Sequence, residues 1–297
     1  MAKKGGCLGC FFKLLIALVV ILVILGAAVY FGGNWAMQTY IGTEGSVAQL
    51  GINNWGDVGR LVKVFNGNPP AIRESDKPNA DNVDGAVAAL EAAIGNDGLD
   101  GLTSGEKLSE LVAEMLAGAD FDAVLSLSGG QIAAMLQETL VQDEQIIPDI
   151  GISVQSVSIA PIIDPDDATA PINEANISIC LSVSKDSLIA LINERLPGLD
   201  GLWNWLLKGD FYITSTNRFA ITDGVVALSE EGTNVVTIND LSESDSAILL
   251  KVMSYALGGD SIDTTITSSI STILNKLAGS NSSLSFGADD EIIFTPK

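Results

Sequence analysis

Hydrophobic and polar positions change their spacing several times along this chain, and the changes divide it. From Phe11 to Phe31, FFKLLIALVVILVILGAAVYF, apolar residues run with no polar period, and after Lys13 with no charge. As a helix the run from Phe12 to Tyr30 is about 28 Å long, close to the ~30 Å hydrocarbon core of a bilayer. It predicts a transmembrane helix over 11–32, behind a tail of residues 1–10. Residues 33–83 lose the periodicity and read as a stalk or linker, with Gly32-Gly33, Gly51, Gly56 and Gly59, then Asn66-Gly67-Asn68-Pro69-Pro70 and a polar stretch to Asp84. Inside it Val58, Leu61, Val62 and Phe65 recur at helical spacing and predict one short helix.

Regular periods return near Val83. Residues 83–94 and 104–116 predict two helices, the second opened by Thr103 or Ser104 with Glu106 and Lys107 in its first turn. Residues 152–163, ISVQSVSIAPII, alternate as a strand with one polar face. Residues 211–221, 225–228 and 235–238 are rich in β-branched and aromatic residues. Thr222-Asp223-Gly224 and Glu230-Glu231-Gly232 separate them, which predicts an antiparallel meander. Two C-terminal helices follow, one with Ile248, Leu249, Val252 and Leu257, the other with Ile262, Ile266, Ile270, Ile273, Leu274 and Leu277. The polar side of the second is almost all Ser and Thr, poor helix formers, so packing has to hold it. Residues 284–286 and 291–294 close the chain as short strands. The expected fold of 84–297 is α+β, a mostly antiparallel curved sheet packed against helices.

That domain repeats a segment. FDAVLSLSGGQIAAMLQETL at 121–140 aligns without gaps on ISICLSVSKDSLIALINERL at 177–196, with Leu125/Leu181, Ser126/Ser182, Ser128/Ser184, Ala134/Ala190, Glu138/Glu194 and Leu140/Leu196 identical. Each copy predicts a strand, a serine N-cap and a helix, and two copies suggest a pseudo-symmetric domain. The inward helix faces would be Ile132, Met135 and Leu136, and Leu188, Leu191 and Ile192.

Charge orients the anchor. Lys3, Lys4 and Lys13 are the only charges in the first 32 residues, so the rest carries 12 basic against 37 acidic residues. Tyr30, Trp35 and Tyr40 flank the far end of the span. The positive-inside rule then places the N-terminus in the cytoplasm and the acidic domain outside the membrane. A cleaved signal peptide ending at Gly26-Ala27-Ala28 is the competing expectation, opposed by the length of the apolar run and by the bulky Val29, Tyr30 and Phe31 that follow. Cys7 and Cys10 precede the apolar core, the wrong order for a lipidated cysteine. The acidic field argues against nucleic acid as a partner.

Catalytic chemistry is poorly provided. The chain has no histidine, which removes every Ser-His or Cys-His arrangement. Cys7-x-x-Cys10 has no second pair for a zinc site. Cys180 lies alone in an apolar strand pattern, as a buried thiol does. Asn96 to Gly101 has the residue types of a calcium loop, but placing Gly101 at the sixth position puts Lys107 at the twelfth, where a bidentate Glu is needed, so a turn is expected. Asp164, Asp166 and Asp167 lack ligand spacing and read as a solvated loop. Ser182-Val183-Ser184-Lys185 matches S-x-x-K without K-T-G or S-D-N after it. Gly259-Asp260-Ser261-Ile262, an esterase-like block, lacks its histidine. No enzyme, cofactor or metal site is expected.

The L-S-x-S-x-x-Q-I-x-x-M-L block at 125–136, with its echo at 181–192, resembles the strand-to-helix signature of small membrane-anchored bacterial proteins similar to tubular lipid-binding, or TULIP-like, domains. That resemblance implies a strongly curved sheet wrapping a long helix around an apolar groove, and a lipid as ligand. The expected groove residues are Ile132, Met135, Leu136, Leu188, Leu191, Ile192, Trp203, Ile266, Ile270 and Ile273. Two functions follow, a single-pass anchored extracytoplasmic protein that binds a lipid or other apolar ligand, and a non-catalytic scaffold or protein-interaction module of the cell envelope whose partner the sequence does not name.

Overall fold

The computed structural model describes residues 55–95, 99, 101–117, 121–142, 152–163, 171–186, 208–222, 224–229, 232, 234–247, 271, 274–275 and 282–296. The expected membrane span and cytoplasmic tail lie outside these residues. Among the described residues no helix is long and apolar enough to cross a membrane.

Helix α1 (Trp55–Phe65) is the short helix expected in the stalk. α2 (Ala80–Ile94) begins three residues before the expected start, because Asn79 is its cap and accepts from Asn82 N–H at 3.0 Å. Gly95, at φ 70°, ends it in the left-handed conformation that glycine adopts without strain. α3 (Ser104–Leu116) has the expected bounds, and Thr103 is the cap. Its hydroxyl accepts from Glu106 N–H at 3.4 Å while the Glu106 carboxylate accepts from Thr103 N–H at 2.9 Å, a reciprocal capping box. The turn between these helices is closed by Leu102 N–H on Leu99 O.

Strand β1 (Leu125–Ser128) runs directly into α4 (Gly129–Gln142). Ser128 Oγ accepts from Gln131 N–H at 3.4 Å, and Gln131 Oε1 accepts from Ser128 N–H at 2.8 Å. The expected serine cap is thus a second box, closed by glutamine. Strands β2 (Ile152–Pro161), β3 (Glu174–Val183), β4 (Phe211–Thr222), β5 (Val225–Leu228) and β6 (Val235–Ile238) follow, and β7 (Ser282–Gly287) and β8 (Glu291–Pro296) form the closing hairpin.

Among the described residues all pairings are antiparallel, in two sheets ordered β1-β8-β7 and β2-β3-β4-β5, with β6 also on β4. The expected meander is corrected here. β5 pairs with the end of β4 and β6 with its beginning, Val235 to Ile238 opposite Thr216 to Ile213, so the two form one interrupted strand along a single edge of β4. Ser229 N–H bonds Arg218 O at 2.9 Å, Gly232 N–H bonds Ser229 O at 3.4 Å, and Gly232 lies so close to Arg218 of β4 that a Cβ there would collide with its side chain. β6 therefore pairs with β4 and not with β5, so Glu230-Glu231-Gly232 does not join those two strands as a hairpin.

The two sheets meet through the residues before β3. Phe286 N–H bonds Ile172 O at 3.0 Å, Ile221 N–H bonds Asn173 O at 2.8 Å and Ile162 N–H bonds Glu174 O at 2.8 Å. A core cluster fills the space they share with the helices. Leu90, Leu108, Leu111 and Met115 from α2 and α3 meet Leu127, Phe286 and Phe294 from one sheet and Val157, Ile177 and Phe219 from the other.

The repeat is local. Both copies carry a strand, a serine and a helix start, since β3 ends at Val183 and helix resumes at Lys185. Their strands differ, however. β1 is a four-residue edge strand paired with β8, whereas β3 is ten residues long and central between β2 and β4. Shared short-range grammar has not produced a symmetric sheet.

Candidate ligand-binding site

Of the expected groove, α4 is the part described. Ile132, Met135 and Leu136 stand at i, i+3 and i+4, so they share one helix face. Ile132 is 4% and Met135 2% exposed, both within the common core, and Leu136 is half-buried against it. Leu188, Leu191, Ile192, Trp203, Ile266, Ile270 and Ile273 lie outside the described residues. From the same C-terminal stripe Leu274 is described, buried in that core.

Several devices hold α4 in place. Gly129 lies so close to Val157 O of β2, and Gly130 to Ser75 O and the Asn82 amide, that a Cβ at either would collide. Further along, Gln137 Oε1 accepts from Val154 N–H at 2.7 Å, where a bulge between Val154 and Ser156 opens the β2 edge. Glu138, the next residue, is partly buried, and burial pushes its carboxyl above the usual range.

The inner face of β4 carries what the sequence reading missed. Alternation puts Phe211, Ile213, Ser215, Asn217 and Phe219 on one side, opposite Leu181, Ile179 and Ile177 of β3. Ser215 and Asn217 are polar residues on this apolar face, 1% and 0% exposed. Asn217 Nδ2 donates to Ser215 Oγ at 2.8 Å, and Asn217 Oδ1 has no hydrogen-bond partner among the described residues. The period of β4 was the available signal, because two polar residues fall where its apolar beat requires hydrophobes.

The opposite face of this sheet is lined by hydroxyls. Ser153 Oγ and Ser182 Oγ share a hydrogen bond of 2.8 Å, Gln155 Nε2 donates to Ser182 Oγ at 2.9 Å, and Ser178 and Thr216 pair at 2.8 Å. The S-x-x-K serine is therefore a strand residue bonded to its neighbours across β2, while Lys185 N–H is held by Asp210 Oδ1 at 2.9 Å. Cys180 is a buried free thiol as expected, but on this hydroxyl face opposite Ser156 and Thr214, and burial raises its pKa.

Among the described residues most positive charges are paired. Arg60, Lys63, Arg73, Lys77, Lys107 and Arg218 each pair with a carboxylate. Among the described residues no group of His, Cys, Asp and Glu could hold a metal ion. Asp164, Asp166 and Asp167 lie outside them. Compared with protein-family models, with curated proteins and with solved structures, the chain matches none.

Proposed function

We propose that this chain is a single-pass membrane protein, N-terminus in the cytoplasm, whose acidic α+β domain stands outside the membrane and binds a lipid or other apolar ligand without catalysis. The observation that carries the anchor is the uncharged apolar run from Leu14 to Phe31, long enough for one crossing. An apolar ligand is supported by the TULIP-like block at 125–136, and by an aliphatic interior shared between two sheets and three helices. The acidic surface favours a neutral or zwitterionic molecule over an anionic one. The alternative, a non-catalytic envelope scaffold, is favoured by the near-complete burial of Ile132 and Met135, which fill core where a groove wall would be open.

The test is mass spectrometry of residues 33–297 purified without detergent. A lipid ligand predicts co-purifying lipid, reduced several-fold by Ile270→Trp. A ligand-free spectrum transfers the proposal to the scaffold.

A further inference from the structure

The stretch whose composition reads as a linker is fastened to the domain. α1 ends against Asn239, whose Nδ2 donates to Val64 O in the last turn of the helix. Asn239 has φ 54° and is almost fully buried. Its Oδ1 accepts from Tyr212 N–H at 2.9 Å and its own N–H donates to Tyr212 O at 2.7 Å. A helix C-terminus exposes unpaired carbonyls, so Asn239 caps α1 from 175 residues away. Lys63 Nζ reaches Asp245 at 3.1 Å, and Asp240 N–H bonds Asn68 O at 2.9 Å.

Beyond Asn68 the chain crosses the domain as a strap. Asn79 Nδ2 bonds Glu74 O, and Asn82 Nδ2 bonds Ser75 O and Lys77 O, which folds residues 74–79 into a tight turn over Gly130. Arg73 then reaches Asp290 of the β7–β8 turn at 3.7 Å. No residue from 66 to 79 is fully buried, and in α1 the described buried side chains are Asp57 and Val64. An eleven-residue helix is marginal alone. The strap, with no fully buried residue, opens at lower free energy than a core.

We propose that α1 and the strap are a latch that undocks and melts as one unit while the sheets and α2 to α4 stay folded. Undocking releases residues 55–79 ahead of α2. On the anchored topology, on which this second step rests, 23 residues separate the apolar run from α1 when docked and 48 separate it from α2 when undocked. The maximum reach from the membrane rises from about 80 Å to about 165 Å.

Hydrogen exchange on the full chain in phospholipid nanodiscs tests the latch. Asn239→Ala should speed exchange of residues 55–68 about tenfold and leave β3 unchanged. Lys63→Glu, at an exposed pair that cannot disturb the core, should give a smaller acceleration of the same residues. Equal acceleration in β3, or none in 55–68 with either variant, overturns the latch. Spin-label distances from the bilayer to a cysteine at Asp289 should lengthen in Asn239→Ala. Failure of the chain to insert into nanodiscs removes the anchor and the change of reach alone, and the exchange pattern still decides the latch.

Discussion

Several amide side chains stand where backbone groups would otherwise sit. Gln131 closes the cap of α4, Gln137 takes the Val154 N–H, Asn239 caps α1, and Asn275 holds Val226 at both ends, accepting from its N–H and donating to its carbonyl at 2.8 Å each. A short amide carries donor and acceptor on one stiff plane, so it can substitute for a peptide group. Glu138 is the opposite case, an acid placed where burial opposes its charge. Its folded pKa is raised, so the stability its neutral form supplies is fully present below the unfolded value of about 4.3 and is lost as pH rises through the folded value. Glu138→Gln should therefore be more stable than the parent at pH 7 in urea titrations, with the advantage gone below about pH 4. Asp245, whose pKa is lowered by its hydrogen bond from Lys63, works the other way and loses its contribution as pH falls.

The edges are where the elements show their organisation. An open strand edge invites another chain to add to the sheet. Here Gln137 and Gly129 lie against β2, Asn275 against β5, and Ile172 against β7, while Ser246 Oγ accepts from Ile238 N–H of β6 at 3.0 Å. Removing the Asn275 clamp should cost about 1–2 kcal/mol and open β5. In Asn275→Ala the denaturant midpoint should fall and light scattering should rise with concentration. A lower midpoint with no new association would mean that β5 is covered by more than this one side chain. Which of these features were legible beforehand follows from their range in sequence. The start of α3 was readable because Thr103 and Glu106 act on each other three residues apart. The start of α2 was missed because Asn79 lies in a stretch of linker composition. The pairing of β5 and β6 was misjudged because an acidic pair and a glycine signal a break between strands without saying which strand the next one pairs with. For the candidate site, the inward face of α4 was legible from spacing alone. Asn217 was missed although the alternation of β4 placed it on the apolar beat, because a polar residue there reads as a break in the pattern and not as a buried amide.

At the scale of the molecule, the charges near the N-terminus and the acidic remainder predict one orientation. In a Cys7→Ser, Cys10→Ser background, a cysteine at the exposed Asp289 should react with an impermeant maleimide on intact cells. Reaction only after lysis would reverse the topology. The place of β8 has a consequence in time. Leu125 of the first strand pairs with Phe294 of the last described one, and β8 lies between β1 and β7. Synthesis delivers β1 and α4 long before the strand that covers them, so their aliphatic face must wait for almost the whole chain. Such distant pairings close slowly. During that interval the nascent domain displays Leu127, Ile132 and Met135 to whatever lies beside it, and holding it out of misassembly becomes a task for its surroundings until β8 arrives.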